Sequence, residues 1–376
     1  MIRRLYPARL SGTVSVPDSK SAWHRALICR FLAGQPLPDH LSGDDVSATL
    51  NGLLALQRGE SVIDCGASGA TLRFLLPLAM ALDHTGVCFT GTPRLLARPL
   101  SAPYPVAQTA SGYEITQPLR PGRYALRGDE TSQTVSGLLM ALPRLSGPSE
   151  LMLTTPLVSR PYVDMTLDAL ARHGIAVEAE ENGWRVPAPQ TFRPDDTPVE
   201  GDWSAAGWWL TVDALQGGGV TVEGLTPQSR QSDRAIVTYL KNLPETVDVS
   251  QTPDLLPTLA LLAAMTPRTT RFTGGAFLRR KESDRIRTVD TVLSALGVTV
   301  SEQPDGLTVT GGSPLEGGVT LDAFGDHRIA MLCACAALFC REPIELRGGE
   351  CVSKSYEDFW RDYAMLGGKT EELMES

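Results

Sequence analysis

Apolar residues crowd into six stretches of the chain, each opened by polar residues or glycine. They read "DSKSAWHRALICRFLAG", "GASGATLRFLLPLAMAL", "DETSQTVSGLLMALPRL", "GDWSAAGWWLTVDAL", "PDLLPTLALLAAM" and "GDHRIAMLCACAALF". Nearly every helical face in them is apolar, which predicts helices buried all round rather than laid on a surface. After each, a short β-like run turns into a second, more amphipathic helix. The clearest cases are "ELMLTTPLVSRPYVDMTLDALARHGIAVE", "VTVEGLTPQSRQSDRAIVTYLKNL", "TTRFTGGAFLRRKESDRIRTVDTVLSALGVTV" and "PIELRGGECVSKSYEDFWRDYAMLGG". In these four a turn bearing Ser, Lys or Arg comes first, and an Asp stands at or near the helix start. Fainter copies are "LSGDDVSATLNGLLALQRG" and "VCFTGTPRLLARPLSAPYPVAQTASG". A spacing of roughly 50–70 residues is too long and irregular for a solenoid. Six copies predict two domains of three, helices inside and sheets around them. A doubly wound nucleotide fold is disfavoured, because neither G-x-G-x-x-G nor a Walker A sequence occurs; "QGGGV" and "TGGS" read as turns.

The first stretch contains a conflict. Asp18, Ser19 and Ser21 are good N-caps, yet Lys20, His24 and Arg25 occupy or adjoin the first turns. The helix dipole disfavours a cation there by roughly 0.3–1 kcal/mol, so the pattern implies an anionic ligand. Helices running parallel would bring such N-termini onto one face, a natural anion trap. Lys20, Arg25, Arg73 and Arg328 stand at or beside helix starts, and Arg98, Arg160, Lys281, Arg285 and Lys354 occupy the turns after the β-runs.

Composition narrows the ligand class. With 34 basic and 43 acidic residues the net charge is −9, which argues against nucleic acid and makes any anion pocket work against the global field. The seven cysteines form no C-x-x-C pair and read as reduced core thiols, with a metal site at Cys333, Cys335 and Cys340 as the alternative. The N-terminus lacks an apolar signal region and no apolar run is long enough to span a membrane. The expectation is a soluble cytoplasmic protein, its 376 residues enough for two domains.

The motifs "DSKSAWHRAL", "DCGASGATLRF", "TGTPRLLARP", "TSQTVSGLLMALP", "LVSRPYVDMTL", "VEGDWSAAG", "PDLLPTLALLA", "RRKESDRI" and "GDHRIAM" follow one another over nearly the whole chain. In that order the chain resembles the family of 5-enolpyruvylshikimate-3-phosphate synthases. The resemblance implies an α/β fold of two inside-out domains, each of three βαβαββ units with buried parallel helices. It implies that residues 1–18 join 200–376 as one domain, that 19–199 form the other, and that the active site lies in the cleft between them. The implied reaction transfers the enolpyruvyl group of phosphoenolpyruvate to the 5-hydroxyl of shikimate 3-phosphate and releases phosphate. It implies a monomer with no cofactor and no metal, and no nucleic-acid or membrane partner.

Carried over motif by motif, Lys20, Ser21, Arg25, Thr131, Ser132, Gln133, Ser159, Asp254 and Lys281 would bind shikimate 3-phosphate. Lys20, Gly69, Arg98, Gln133, Arg285, Arg328 and Lys354 would bind phosphoenolpyruvate, with Gly69 leaving room where a side chain would intrude. Asp254 would be the base, and Glu282 or Lys20 the acid; read from the residues alone, Asp254 could also be a helix N-cap. Asp326 and His327 would orient Arg328. The chain departs from the family pattern at Ala67, Ala70, Thr131, Arg160, Phe277 and Gly325. Two alternatives are a UDP-N-acetylglucosamine enolpyruvyl transferase and a non-catalytic anion-binding paralogue. The former usually carries Lys-Asn in place of Lys20-Ser21 and a loop cysteine that "GTPRLLARPL" lacks; the retained Asp254 and cation set weigh against the latter.

Overall fold

The computed structural model describes residues 2–98, 100 and 102–373. Pro99 of the "TGTPRLLARP" motif lies outside them. The chain forms two compact units, Ser19–Val199 and Met1–Asp18 with Glu200–Ser376. Strands β1 (Ile2–Tyr6) and β2 (Gly12–Ser15) begin the latter. Unit Ser19–Val199 then runs α1 (Lys20–Leu32), α2 (Asp44–Arg58), β3 (Val62–Asp64), α3 (Gly69–Ala81), β4 (Cys88–Thr90), α4 (Pro93–Leu96), β5 (Val106–Gln108), β6 (Tyr113–Ile115), β7 (Arg123–Leu126), α5 (Ser132–Ala141), β8 (Ser149–Leu153), α6 (Arg160–Arg172), β9 (Glu178–Glu180) and β10 (Gly183–Val186). The chain returns with α7 (Trp203–Gln216), β11 (Val220–Glu223), α8 (Ile236–Lys241), β12 (Thr246–Asp248), α9 (Leu256–Met265), β13 (Thr269–Thr273), α10 (Arg285–Ala295), β14 (Thr299–Gln303) and β15 (Gly306–Thr310). It closes with β16 (Thr320–Asp322), α11 (His327–Ala337), β17 (Ile344–Arg347), α12 (Phe359–Met365) and β18 (Lys369–Leu373).

Four sheets repeat one pattern, a parallel pair followed by two antiparallel strands. They are β3-β4-β6-β5, β7-β8-β10-β9, β12-β13-β15-β14 and β16-β17-β1-β18. A parallel pair needs a long crossover, and in each sheet that crossover is one of the all-apolar stretches: α3, α5, α9 or α11. Their side chains are buried on every face, Leu72, Leu75 and Leu76 of α3 and Leu259 and Leu261 of α9 among them. A fifth parallel pair, β2 with β11, has α7 as its crossover, and the whole Ser19–Val199 unit is inserted between β2 and α7. Where the insert leaves and returns, Asp18 bridges Gly201 and the Asp202 amide donates to the Pro17 carbonyl at 2.8 Å. In the fourth sheet, β1 takes the third place: Leu5 pairs with Ile344 of β17 and with Thr370 of β18.

Two expectations about helices need correction. Helix α1 is not buried all round, because it packs on α2 and α6 while α3 and α5 pack on each other. Its Trp23, Phe31 and Leu32 are only half-buried. The two fainter amphipathic helices also diverge: α2 extends over 15 residues, but α4 stops after 4. Prolines at 99, 103 and 105 remove amide donors that a longer helix would need, while Pro93 suits its first position.

Candidate active site

Helix starts carry the polar groups of unit Ser19–Val199. Lys20 and Ser21 begin α1, Gly69 begins α3, Ser132 and Gln133 begin α5 after its N-cap Thr131, and Ser159 precedes α6. None of these helices has an acidic residue in its first turn. The Lys20 ammonium donates to Asp45 Oδ2 at 3.0 Å. Arg25 is buried among uncharged oxygens: it donates to Thr166 Oγ1 at 2.7 Å, the Tyr162 carbonyl at 2.6 Å, the Ser21 carbonyl at 2.5 Å and Ser136 Oγ at 3.5 Å. Among the described residues no carboxylate pairs with it, and burial pulls its pKa down to about 10. Its guanidinium lies 5.4 Å from the Phe74 ring centroid. A buried cation without a counter-charge is costly.

Around Gly69 the backbone is deliberately bare. A Cβ there would stand 2.8 Å from Arg73 Nη1, 3.3 Å from Gln133 Oε1 and 3.4 Å from Arg98 Nη1. Arg73 itself donates to the Gly69 carbonyl at 3.3 Å and to Gln133 Oε1 at 3.4 Å. Two guanidiniums and a helix N-terminus thus meet at one glycine. Ser159 is buried with φ 55°, a left-handed conformation that a side-chain-bearing residue adopts at some cost.

In the other unit, a charge cluster gathers at the starts of α7, α10 and α11 and at the turn before α9. Asp254 sits in the 3-10 turn Pro253–Leu255. Its Oδ1 accepts from Arg285 Nη1 and its Oδ2 from Arg328 Nη2, each at 2.7 Å. Asp254 is therefore a clamped carboxylate and not the helix N-cap that its position suggests. Burial works to raise its pKa, but Arg328, Arg285 and Lys281 hold the carboxyl well below the usual range. Arg285 is 1% exposed and also donates to Glu282 Oε2 at 2.8 Å and Asp326 Oδ2 at 3.2 Å. Lys354 Nζ stands 3.7 Å from Glu282 Oε1. Asp326 caps α11 by accepting from the Arg328 amide, and the His327 ring lies 3.8 Å from its Oδ1. Lys281 Nζ is 5.7 Å from the Phe277 ring, so this departure gives the ammonium an aromatic face. Gly325 has φ 64°, a conformation open to both Gly and Asn.

Nine predicted site residues thus lie in unit Ser19–Val199, and Asp254, Lys281, Glu282, Arg285, Arg328 and Lys354 in the other. Arg160 is exposed and paired with Asp164 at 2.9 Å. Of the carboxylates that hold the cations, Asp45 was missed, and Asp326, expected only to orient Arg328, also accepts from Arg285. Asp45 and Asp326 each stand at a helix start, where an acid is ordinary, and nothing in their spacing marks them. The cation cluster is consequently balanced from within by Asp254, Glu282 and Asp326. The metal alternative gains no geometry: Cys333 and Cys335 are buried within α11, with burial pushing both thiols up. Among the described residues no group of His, Cys, Asp or Glu is placed to hold a metal ion, and no helix is long and apolar enough to cross a membrane.

Comparison with known proteins gives this arrangement a family. The family model described as EPSP synthase (3-phosphoshikimate 1-carboxyvinyltransferase) matches residues 55–243 and 236–363. A 3-phosphoshikimate 1-carboxyvinyltransferase of Clostridium kluyveri is 37% identical, with 97% of each chain covered. One from Clostridium acetobutylicum is 34% identical over 98% of each. An EPSP synthase structure from Acinetobacter baumannii superposes with a TM-score of 0.77 at 21% identity, covering 100% of both chains. An enolpyruvyl transferase from Streptomyces tendae gives 0.72 at 18% identity over 98% of each. The fold is that of the enolpyruvyl transferases, and the chain belongs to the EPSP synthase family.

Proposed function

We propose that this chain transfers the enolpyruvyl group of phosphoenolpyruvate to the 5-hydroxyl of shikimate 3-phosphate, releasing phosphate. The observation that carries the reading at the site is Asp254, an ionised carboxylate whose two oxygens are each held by an arginine. Such a carboxylate is a weak base while both guanidiniums are committed to it. An arriving phosphate or carboxylate competes for Arg285 and Arg328, since their planar forks bind both groups bidentately. Basicity then returns to Asp254 when the second substrate is bound. Asp254 takes the hydroxyl proton as the oxygen bonds to C2 of phosphoenolpyruvate, and Glu282 or Lys20 protonates its methylene carbon. Loss of that carbon's proton with cleavage of the C–O bond to phosphate completes the exchange.

Shikimate 3-phosphate is assigned to Lys20, Ser21, Arg25, Thr131, Ser132, Gln133, Ser159, Asp254 and Lys281. Phosphoenolpyruvate is assigned to Lys20, Gly69, Arg98, Gln133, Arg285, Arg328 and Lys354. These sets come from both units, so the complete site is proposed to form in a cleft between them. The protein would act as a cytoplasmic monomer on small molecules alone. Phosphate release tests the reading: it is expected with both substrates together and absent with either alone. Binding of both without release would support the non-catalytic paralogue instead.

A further inference from the structure

Asp233 has no part in the roles assigned above, yet it is one of the most deeply buried carboxylates, 1% exposed. It follows β11 in the 3-10 turn Ser232–Ala235. Its hydrogen-bond partners are two hydroxyls: Ser232 Oγ donates to Oδ1 at 3.0 Å, and Ser204 Oγ to Oδ2. Among the described residues no cation is within ion-pairing distance of it. Burying a carboxylate on hydroxyls alone is expensive, and an apolar residue at this place would relieve that cost. What the position gains is a link. The Ser204 oxygen accepts from Arg328 Nη2 at 3.4 Å, and that same nitrogen holds Asp254 Oδ2 at 2.7 Å. One hydroxyl therefore connects the buried acid to the arginine that clamps the base.

We propose that Asp233 is a positioning residue, which through Ser204 orients Arg328 and sets how tightly that arginine grips Asp254. The proposal rests on the reading of Asp254 as the base. With Asp233 ionised, the Ser204 hydrogen is committed to it and the Ser204 oxygen faces Arg328. The negative charge also draws on the guanidinium from a distance, through the Ser204 bridge, and loosens its hold on Asp254. When Asp233 is protonated, that pull ends and Arg328 grips Asp254 more tightly, leaving it a poorer base. The charged groups acting on Asp233 are Asp254 before α9, Arg328 on α11 and Asp202 at the start of α7. Burial raises its pKa most, Asp254 adds to this, Arg328 and the Ser204 hydrogen bond oppose it, and Asp202 adds a little. The balance lies at about 6. Turnover should therefore fall on the acid side with an inflection near that pH.

Phosphate release by the full chain, with both substrates, would be followed from about pH 5 to about pH 9. Asp233→Asn is expected to abolish the acid inflection and lower kcat about tenfold, with KM for phosphoenolpyruvate within about threefold of the parent. Ser204→Ala keeps both charges but removes the bridge, and should move the inflection to higher pH; it serves also if Asp233→Asn does not fold. An acid limb unmoved in both variants would overturn the proposal. A carbon-NMR titration of aspartate-labelled protein reads the same coupling without turnover. One carboxyl should titrate near 6, vanish in Asp233→Asn and shift in Ser204→Ala. Absence of such a group, or one indifferent to Ser204, would also overturn it. A chain that releases no phosphate but shows this coupled titration would refute the base assignment and leave the link between Asp233 and Arg328 standing.

Discussion

Asp254 illustrates how one side chain can be both restrained and available. Removing it leaves Arg285 and Arg328 with an excess of positive charge, so anion binding should not suffer. For Asp254→Ala the expected result is turnover lower by a factor of order 10²–10⁴, the usual range for a lost general base. Shikimate 3-phosphate affinity should stay within about tenfold, and KM for phosphoenolpyruvate unchanged or lower. Steady-state kinetics with a binding isotherm checks all three. Gly69→Ala should behave in the opposite way. The new methyl meets the far end of Arg73 at 2.8 Å, and a flexible guanidinium can move aside. Unfolding free energy should therefore change by less than about 1 kcal/mol, while KM for phosphoenolpyruvate rises about tenfold or more with kcat little changed, which urea titration and kinetics would show. The cations were legible in the sequence because they break a rule: Lys20 and Arg328 stand where the helix dipole disfavours them. Asp45 and Asp233 obey the rule and so gave no signal, and Asp326 drew notice only through its place beside Arg328. Only the fold reveals which charges they face.

At the scale of elements, the packing of α3 on α5 decides how well the site is built. The two helices touch backbone to backbone, since a Cβ at Gly137 would lie 2.1 Å from the Arg73 carbonyl oxygen. That contact sits one turn behind Gln133, on the residue whose guanidinium reaches forward to Gln133 Oε1 at the helix starts. Gly137→Ala must push the helices apart, and overpacking of this kind costs roughly 1–3 kcal/mol or more. A lower midpoint in urea is expected, together with a raised KM for phosphoenolpyruvate as Arg73 and Gln133 separate; an unchanged midpoint would mean that the crossing yields freely. Elements that are apolar on every face were readable, because α3, α5, α9 and α11 have no solvent side to disguise them. Strands were harder to place, since several, such as β3 and β4, have only three residues and too little alternation to register. The shortness of α4 was not readable, because it depends on proline spacing rather than on hydrophobic pattern.

For the molecule as a whole, the proposed cleft requires that the two units can approach each other. The insert leaves and returns at the Asp18–Gly201 bridge, and a hinge at these two connections is the motion the proposal needs. Small-angle scattering is expected to show a smaller radius of gyration with both substrates, or with shikimate 3-phosphate and an unreactive phosphoenolpyruvate analogue, than without ligand. Superimposable profiles would count against closure. The sixfold repetition was visible in the sequence, but β1's place between β17 and β18 was not, since pairing of the chain's two ends leaves no local pattern. That placement sets a timetable for synthesis. Every strand and helix of the insert has left the ribosome once Val199 is free, and it can fold while translation continues. In the fourth sheet β1 can gain its β17 edge once Ile344–Arg347 has emerged, but its other edge must wait for Lys369–Leu373. The strand Ile2–Tyr6 is thus completed long after it is made, and a chain cut before Lys369 leaves it without its β18 neighbour.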